Sequence, residues 1–467
     1  MFKTQTYISR RNELVRRIGH GLILFPGNSF ASRNCKNNAY PFRQDSTFLY
    51  FFGLNLHDLF GVIDLDSSES ILFGDDVTVD DIIWMGEQPA VSELAASVGV
   101  EKSFPLDKLK EFIGKAIKQG REVHFLPPYR SDTKLQLSDL LERSVDKIDD
   151  CKDVELMFAV AEMREVKSEE EIEELQKVQE TGYLMHMTAM HMCREGMVER
   201  ELVGVLNGIA RSFGIDVSFE TIVTQHGETL HNSNCDGVLQ NGRLLLVDAG
   251  AESLSNYCSD HTRTFPISGK FTQKQREIYE IVLRAHDLVP QAMKTGARYH
   301  EDVHLLAYKY LAEGLQQVGL IKGTPEDAVA SGAMYLFMPH GLGHGLGMDA
   351  HDCEAFGERS FDFTQFVDRA KKSATCIHRT SWILRNGSVL SDEPGIYFIP
   401  ALIDKCEAEG KFRGIVNYEK LKQYRDFGGI RIEDDILVRD NSGEMLGKKR
   451  IPLSVEEVEN EIGKNWR

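Results

Sequence analysis

The chain has 467 residues, 42 % hydrophobic and 27 % charged, enough for two or three domains of ordinary globular sequence and too apolar for a disordered chain. Its 13 prolines and 39 glycines follow no period, which excludes collagen-like or linker-like sequence. Seventy-two acidic against 54 basic residues leave a net charge of −18, so phosphate backbones and anionic lipids are repelled; neither nucleic acid nor a membrane is expected as a partner.

The eight cysteines, at 35, 151, 193, 235, 258, 353, 376 and 406, form no CxxC pair, so neither a zinc ribbon nor a dithiol motif finds support. The start, MFKTQTYISRRNELVRRIGHG, has basic residues with no sufficient apolar core behind them. No stretch approaches the ~20 apolar residues that span a bilayer. Reduced thiols in a cytoplasmic protein are expected.

Up to about Val160, short apolar runs alternate with helical patterns, which suggests a small α/β domain. Leu22–Phe25, Phe48–Phe52, Gly61–Leu65 and Ile71–Phe73 read as strands, and Leu106–Lys118 carries a helical apolar stripe. His20, His57 and His124 are isolated and read as surface or satisfied core residues. A boundary is expected at Met163–Ser168, where Ser168 and Glu171 form a capping box before a long helix striped by Ile172, Leu175 and Val178. Glu169–Glu171 suit the positive end of that helix's dipole.

Chemistry concentrates further on. Arg243–Gly250 reads as a strand that delivers Asp248 at its end. Asp260 follows twelve residues later in a short extended run, Ser259–Pro266. Alone, two such aspartates are turn or cap residues. Pro339–Asp352 then holds His340, His344 and His351 within twelve residues, interleaved with four glycines. Those glycines disfavour a helix and permit close backbone approach. Val389–Phe398 places Glu393 where a strand meets a Pro-Gly turn. In Gly429–Val438, Ile430 and Ile432 share one strand face while Arg431 and Glu433 share the other. Four carboxylates and an imidazole brought to one place would need cations to offset their repulsion. Such oxygen-rich ligation suits two Mn²⁺ or similar ions better than a thiolate-type zinc site.

These patches, DAG, SDHTRTFP, HGLGHGLGMDAHD, DEPGIYF and GIRIEDD in that order, resemble the pita-bread metallopeptidases, specifically aminopeptidase P and prolidase. Phe42–Gly53 and Phe265–Ile281 resemble the same family, so the likeness covers nearly the whole chain. It implies an α+β fold: an aminopeptidase P-like α/β domain over 1–163, then a pita-bread catalytic domain over 164–467 with a curved, mostly antiparallel sheet. It implies two divalent ions, Mn²⁺ foremost with Co²⁺ or Zn²⁺ possible, held by Asp248, Asp260, His344, Glu393 and Glu433, with Asp260 and Glu433 bridging. Glu393 would exchange protons with the attacking water and the leaving nitrogen. His351 would face the oxyanion, His231 and His340 would shape the site around proline, and Arg431 would orient the carboxylates. A homodimer follows from the same likeness.

Two departures stand out: Asp392, where valine is common in the family, and the long charged stretch Glu354–Ser381. Glu393 and Glu433 lie forty residues apart, through Pro400–Asp426, and this long insert resembles prolidases, which cleave Xaa-Pro dipeptides. Arg379, fourteen residues before Glu393, falls where prolidases place an arginine for the dipeptide carboxylate; an ordinary surface arginine is the competing reading. Aminopeptidase P action on longer peptides is the alternative activity. A non-catalytic binding module on this fold, or a metal-free creatinase-like enzyme, should lack several of the five ligand positions, and all five are filled.

Overall fold

The computed structural model describes residues 2–35, 37–150, 153–356, 383–462 and 464. They fall into two compact units, one drawn from Met1–Met163 with Cys353–Ser360 and the other from Arg164–Asp352 with Phe361–Arg467.

The first unit centres on a five-stranded mixed sheet. Leu22–Pro26 lies between Phe60–Asp64, antiparallel, and Val123–His124, parallel. Glu69–Phe73 and Lys102–Phe104 extend the other side. Asp107–Lys118 turns Leu109, Ile113 and Ala116 into the core beneath it. Phe48–Phe52, expected as a strand, belongs to the helix Ser46–Phe52. A fully buried apolar run has no readable period, and the caps decide instead: Asp45 accepts from Phe48 N–H, and Gly53 ends the helix at φ 65°. His124 is a satisfied core residue, paired through Nδ1 with Asp153, which also caps the helix Val154–Glu165.

In the second unit every strand pairing within the named sheets is antiparallel, but the sheet is delivered in short pieces. Leu244–Asp248 pairs with Thr262–Pro266 and with Ile222–Thr224, while Val389–Asp392 pairs with Asp434–Val438 and Gly395–Tyr397 with Gly429–Arg431. Isolated bridges, Thr262↔Glu433 and Gly345↔Leu390, stitch the pieces together. The run 429–438, read as one strand, breaks at Ile432-Glu433, and the bridge to Thr262 takes Glu433 there. The helix Glu169–Met192 begins at the expected capping box, with Ser168 Oγ accepting from Glu171 N–H and Glu171 Oε2 accepting from Ser168 N–H. With Glu199–Phe213, Gln273–Leu288 and Leu305–Gln317 it covers the sheet pieces around one apolar core.

One buried cation ties the pieces behind the site. Arg263 is fully buried and donates to Thr262 O at 3.0 Å and Glu433 O at 2.7 Å. It also grips both oxygens of Asp434, at 2.8 and 3.0 Å. Asp434 is buried, which would raise its pKa, yet Arg263 holds it below the usual carboxylate range. Removing one partner of such a pair strands the other charge. Arg263→Met should cost about 3–5 kcal/mol of stability by chemical denaturation, the scale of a broken buried pair.

Candidate metal centre and active site

Asp248 closes its strand opposite both Thr262 and Ile222. The chain then doubles back, and Gly250 lets it pass: a Cβ there would lie 1.8 Å from Ser259 O. That tight return sets Asp260 beside Asp248. The histidine segment is laid against the Glu393 strand in the same way, since a Cβ on Gly343 would lie 2.0 Å from Ser391 O. Ser391 N–H donates to His344 O at 3.0 Å, and Glu393 N–H donates to Leu342 O at 2.9 Å. Of the glycines in the histidine segment, Gly343 makes the expected close backbone approach.

Asp248, Asp260, His344, Glu393 and Glu433 line one cavity of about 500 Å³, together with His231, His340, His351 and Arg431. Ligand-type atoms of Asp260, His344 and Glu433 lie within 4.8 Å of one another, and all three residues are buried. His344 Nε2 is 3.4 Å from Asp260 Oδ2 and 3.7 Å from Glu393 Oε1. Its Nδ1 faces Gly345 O at 3.2 Å, so N–H donation there leaves the Nε2 lone pair directed at the carboxylates. Asp248 Oδ1 is buried and has no hydrogen-bond partner among the described residues.

Burial first, then the fields of Asp248, Asp435 and Glu393, push the Asp260 carboxyl well above its ordinary range. Glu433 is pushed up the same way, by burial and then by Asp260, Glu393 and Asp248. The single positive side chain in the cluster, Arg431, is already engaged: it donates to Asp248 Oδ2 at 2.7 Å, Thr262 Oγ1 at 3.0 Å and Tyr397 Oη at 2.9 Å. An oxygen-rich donor set with an orphaned carboxylate oxygen, an available imidazole lone pair and too little cationic charge fits divalent metal ions.

The other predicted residues take distinct places. His351 stacks on His344 with ring centroids 3.9 Å apart. His231 is exposed on the cavity wall. His340 Nδ1 lies 2.6 Å from Gly341 O and 3.7 Å from Glu393 Oε2, while its Nε2 lies 2.9 Å from Tyr397 Oη. A neutral His340 therefore donates from Nδ1 and accepts the Tyr397 proton at Nε2, completing a chain Arg431→Tyr397→His340. Arg379 lies outside the described residues, as does most of the charged stretch Glu354–Ser381. Asp392 is buried on the strand with neither carboxylate oxygen hydrogen-bonded among the described residues, and burial raises its pKa to about 8.

Sequence reasoning missed several contributors. Tyr397 stands four residues after Glu393, inside the DEPGIYF motif, and only its partners reveal it. Thr262 bridges Arg431 and Glu433, donating to Glu433 Oε2 at 2.6 Å. His304, ending the π-helical turn Tyr299–His304, accepts from Leu342 N–H at 3.2 Å, and Tyr308 donates to Met338 O at 2.9 Å. Those two residues of one helical face bracket the segment that carries His340. The contacts join residues dozens of positions apart, so no local pattern signals them.

This fold and donor set define a metallohydrolase scaffold with a candidate site for divalent metal. The chain belongs to metallopeptidase family M24, matched over residues 173–440, and carries the aminopeptidase P N-terminal domain over residues 7–124. It is 32 % identical to the human Xaa-Pro dipeptidase over 96 % of this chain and 90 % of that one. It is equally 32 % identical to a probable Xaa-Pro aminopeptidase of Fusarium vanettenii, over 90 % and 87 % of the two chains. Zinc-substituted E. coli aminopeptidase P in complex with product superposes with a TM-score of 0.79 at 29 % identity, covering 99 % of this chain and 98 % of that one. The protein is thus a metallopeptidase with the aminopeptidase P architecture. No described helix is long and apolar enough to cross a membrane. Cys35, Cys193, Cys235 and Cys406 are free thiols.

The raised carboxyls of Asp260 and Glu433 give a sign for metal uptake. They hold protons in the metal-free protein that a cation must displace. Titration calorimetry in buffers of different ionisation enthalpy should show net proton release on binding Mn²⁺. The release should shrink as pH rises through the raised values, and Asp260→Asn should reduce it. Uptake without proton release at any pH would contradict this charge balance.

Proposed function

We propose that the protein hydrolyses the Xaa-Pro bond at the N-terminus of proline-containing peptides, preferring Xaa-Pro dipeptides; Xaa-Pro aminopeptidase action on longer peptides is the alternative. The observation that carries this reading is the convergence of Asp248, Asp260, His344, Glu393 and Glu433 on one cavity in an M24 chain. The equal identity to a dipeptidase and an aminopeptidase leaves substrate length to Arg379 and to the long segment between Glu393 and Glu433.

Two divalent ions, Mn²⁺ in this reading, would be held by those five residues with Asp260 and Glu433 shared, supplying Lewis acidity and a water acidic enough to act near neutral pH. The remaining chemistry belongs to side chains. Glu393 accepts the water's proton at its carboxylate and returns it to the departing proline nitrogen. His351, fixed by its stack on His344, faces the developing oxyanion. His340 is held in one tautomer by Gly341 O and Tyr397, and with His231 it encloses the proline ring. Arg431 orients Asp248 and, through Thr262, holds it in line with Glu433. A proline after the scissile bond offers no N–H and a fixed φ, so a site shaped to the ring excludes other residues. A homodimer in the cytoplasm belongs to the same reading, and sedimentation equilibrium checks the dimer.

Removing metal should abolish hydrolysis, and Mn²⁺ or Co²⁺ should restore it. Asp260→Asn should lower activity at least about 100-fold together with metal occupancy, the upper scale of losses when metal sites are perturbed. Full turnover in verified metal-free protein would overturn the reading.

Substrate length is tested with Gly-Pro against Gly-Pro-Pro. An arginine pairs both oxygens of a carboxylate that directly follows proline, and longer peptides have a neutral amide there. Arg379→Ala should lower kcat/KM on Xaa-Pro dipeptides by roughly 10–100-fold, the value of a charge-assisted bond, and much less on longer substrates. Loss on neither class would favour the aminopeptidase alternative.

A further inference from the structure

We propose that Glu220 selects substrates whose N-terminal residue has a cationic side chain, so that Lys-Pro and Arg-Pro are cleaved in preference to neutral Xaa-Pro. The inference rests on the Xaa-Pro hydrolysis proposed above and concerns the residue before the scissile bond.

The cavity's two walls differ in chemistry. One is the metal-ligand cluster with its histidines. The other is built by the chain around Ile222, and Phe219, Ile222 and Leu230 make it largely apolar. Glu220 lines that wall and is exposed to solvent. Among the described residues it makes no hydrogen bond or ion pair. Every other carboxylate on the cavity belongs to the ligand cluster, and Arg431 is engaged by Asp248, Thr262 and Tyr397. Glu220 is therefore the uncommitted charge on the described wall.

Its placement follows from the backbone. Thr221 turns away from the cavity, donating to Asn207 Oδ1 at 2.7 Å, and Val223 is buried in the core. Glu220, two residues before the strand's Ile222, lines the cavity with it and with Phe219. Ile222 is the register partner of Asp248. Two residues span at most about 7 Å, so Glu220 stands within that distance of the point opposite a proposed ligand. A substrate with its scissile carbonyl at the carboxylate cluster has its N-terminal residue alongside. The four-carbon stem of lysine carries its ammonium on the order of 6 Å from Cα. The stem would lie on Phe219 and Ile222 while the ammonium reaches Glu220, as long cationic side chains do on apolar surface. The chain's net charge of −18 favours the approach of cationic peptides as well.

The test is steady-state kinetics of the Mn²⁺-loaded enzyme on Lys-Pro, Arg-Pro, Leu-Pro and Met-Pro, comparing the wild type with Glu220→Gln and Glu220→Lys. The wild type should favour the cationic pair through KM. Glu220→Gln should lower kcat/KM on Lys-Pro and Arg-Pro by about 3–6-fold, the scale of a partly exposed ion pair, and leave Leu-Pro unchanged. Glu220→Lys should turn the preference toward Glu-Pro. Ionic strength near 1 M, where screening acts within about 3 Å, should erase the wild-type preference and leave Glu220→Gln unaffected. Equal losses on all four substrates would overturn the proposal, giving Glu220 a role toward the shared α-ammonium or the fold. No change on any substrate would overturn it too. Cleavage of Leu-Pro without cation preference would sink this inference alone, whereas no cleavage of any Xaa-Pro would sink the reading beneath it.

Discussion

Negative charge confined in a low-dielectric pocket is the constraint on which the site depends. Asp248, Asp260, Glu393 and Glu433 share one cavity, and burial multiplies the cost of their mutual repulsion. One guanidinium, Arg431, offsets part of it. The raised carboxyls of Asp260 and Glu433 express the remainder. A fold that assembles such a cluster is incomplete without cations, so metal binding and stability are one equilibrium here.

Holding that cluster together falls to the scaffold. Three of the clustered carboxylates sit at a strand end or a break between strands, where backbone pairing stops. Asp248 ends one strand, Glu433 fills the interruption of another, and Glu393 stands between Val389–Asp392 and Gly395–Tyr397. The pieces are short and would slide if backbone ladders alone joined them. Arg263 prevents this from behind by holding the carbonyls of Thr262 and Glu433 and the carboxylate of Asp434 at once. Arg431 does the same from the front through Asp248, Thr262 and Tyr397. Two buried arginines, one on each side of the Thr262–Glu433 bridge, fix the geometry that the chemistry uses.

The chain's tyrosines and histidines extend this order toward the substrate. Tyr397 links Arg431 to His340, which stands beside Glu393. His304 and Tyr308 hold the backbone on either side of His340 from a separate helix. The cavity wall at His340 is therefore shaped by residues outside the carboxylate cluster. Phe219, Glu220 and Ile222, which line the cavity next to Asp248, take no part in this hydrogen-bond network.

The sequence by itself determined what local rules govern. Ser168 and Glu171 marked the start of the long helix because a capping box is satisfied within four residues. The glycines among His340, His344 and His351 pointed to close backbone approach, which Gly343 makes against Ser391. The motif order carried the family and named the five ligand-type residues that share the cavity. Local rules misread Phe48–Phe52, where complete burial erases the periodicity that separates strand from helix and only the Asp45 and Gly53 caps decide. They also joined Arg431 and Glu433 in one strand, although the cross-chain bridge to Thr262 breaks it. Tertiary structure alone decided which carboxylate faces which, that Tyr397 links His340 to Arg431, and that Glu220 shares a wall with Ile222 opposite Asp248. Those facts are distances between residues far apart in the chain, set by packing and strand register, and no neighbouring residues encode them.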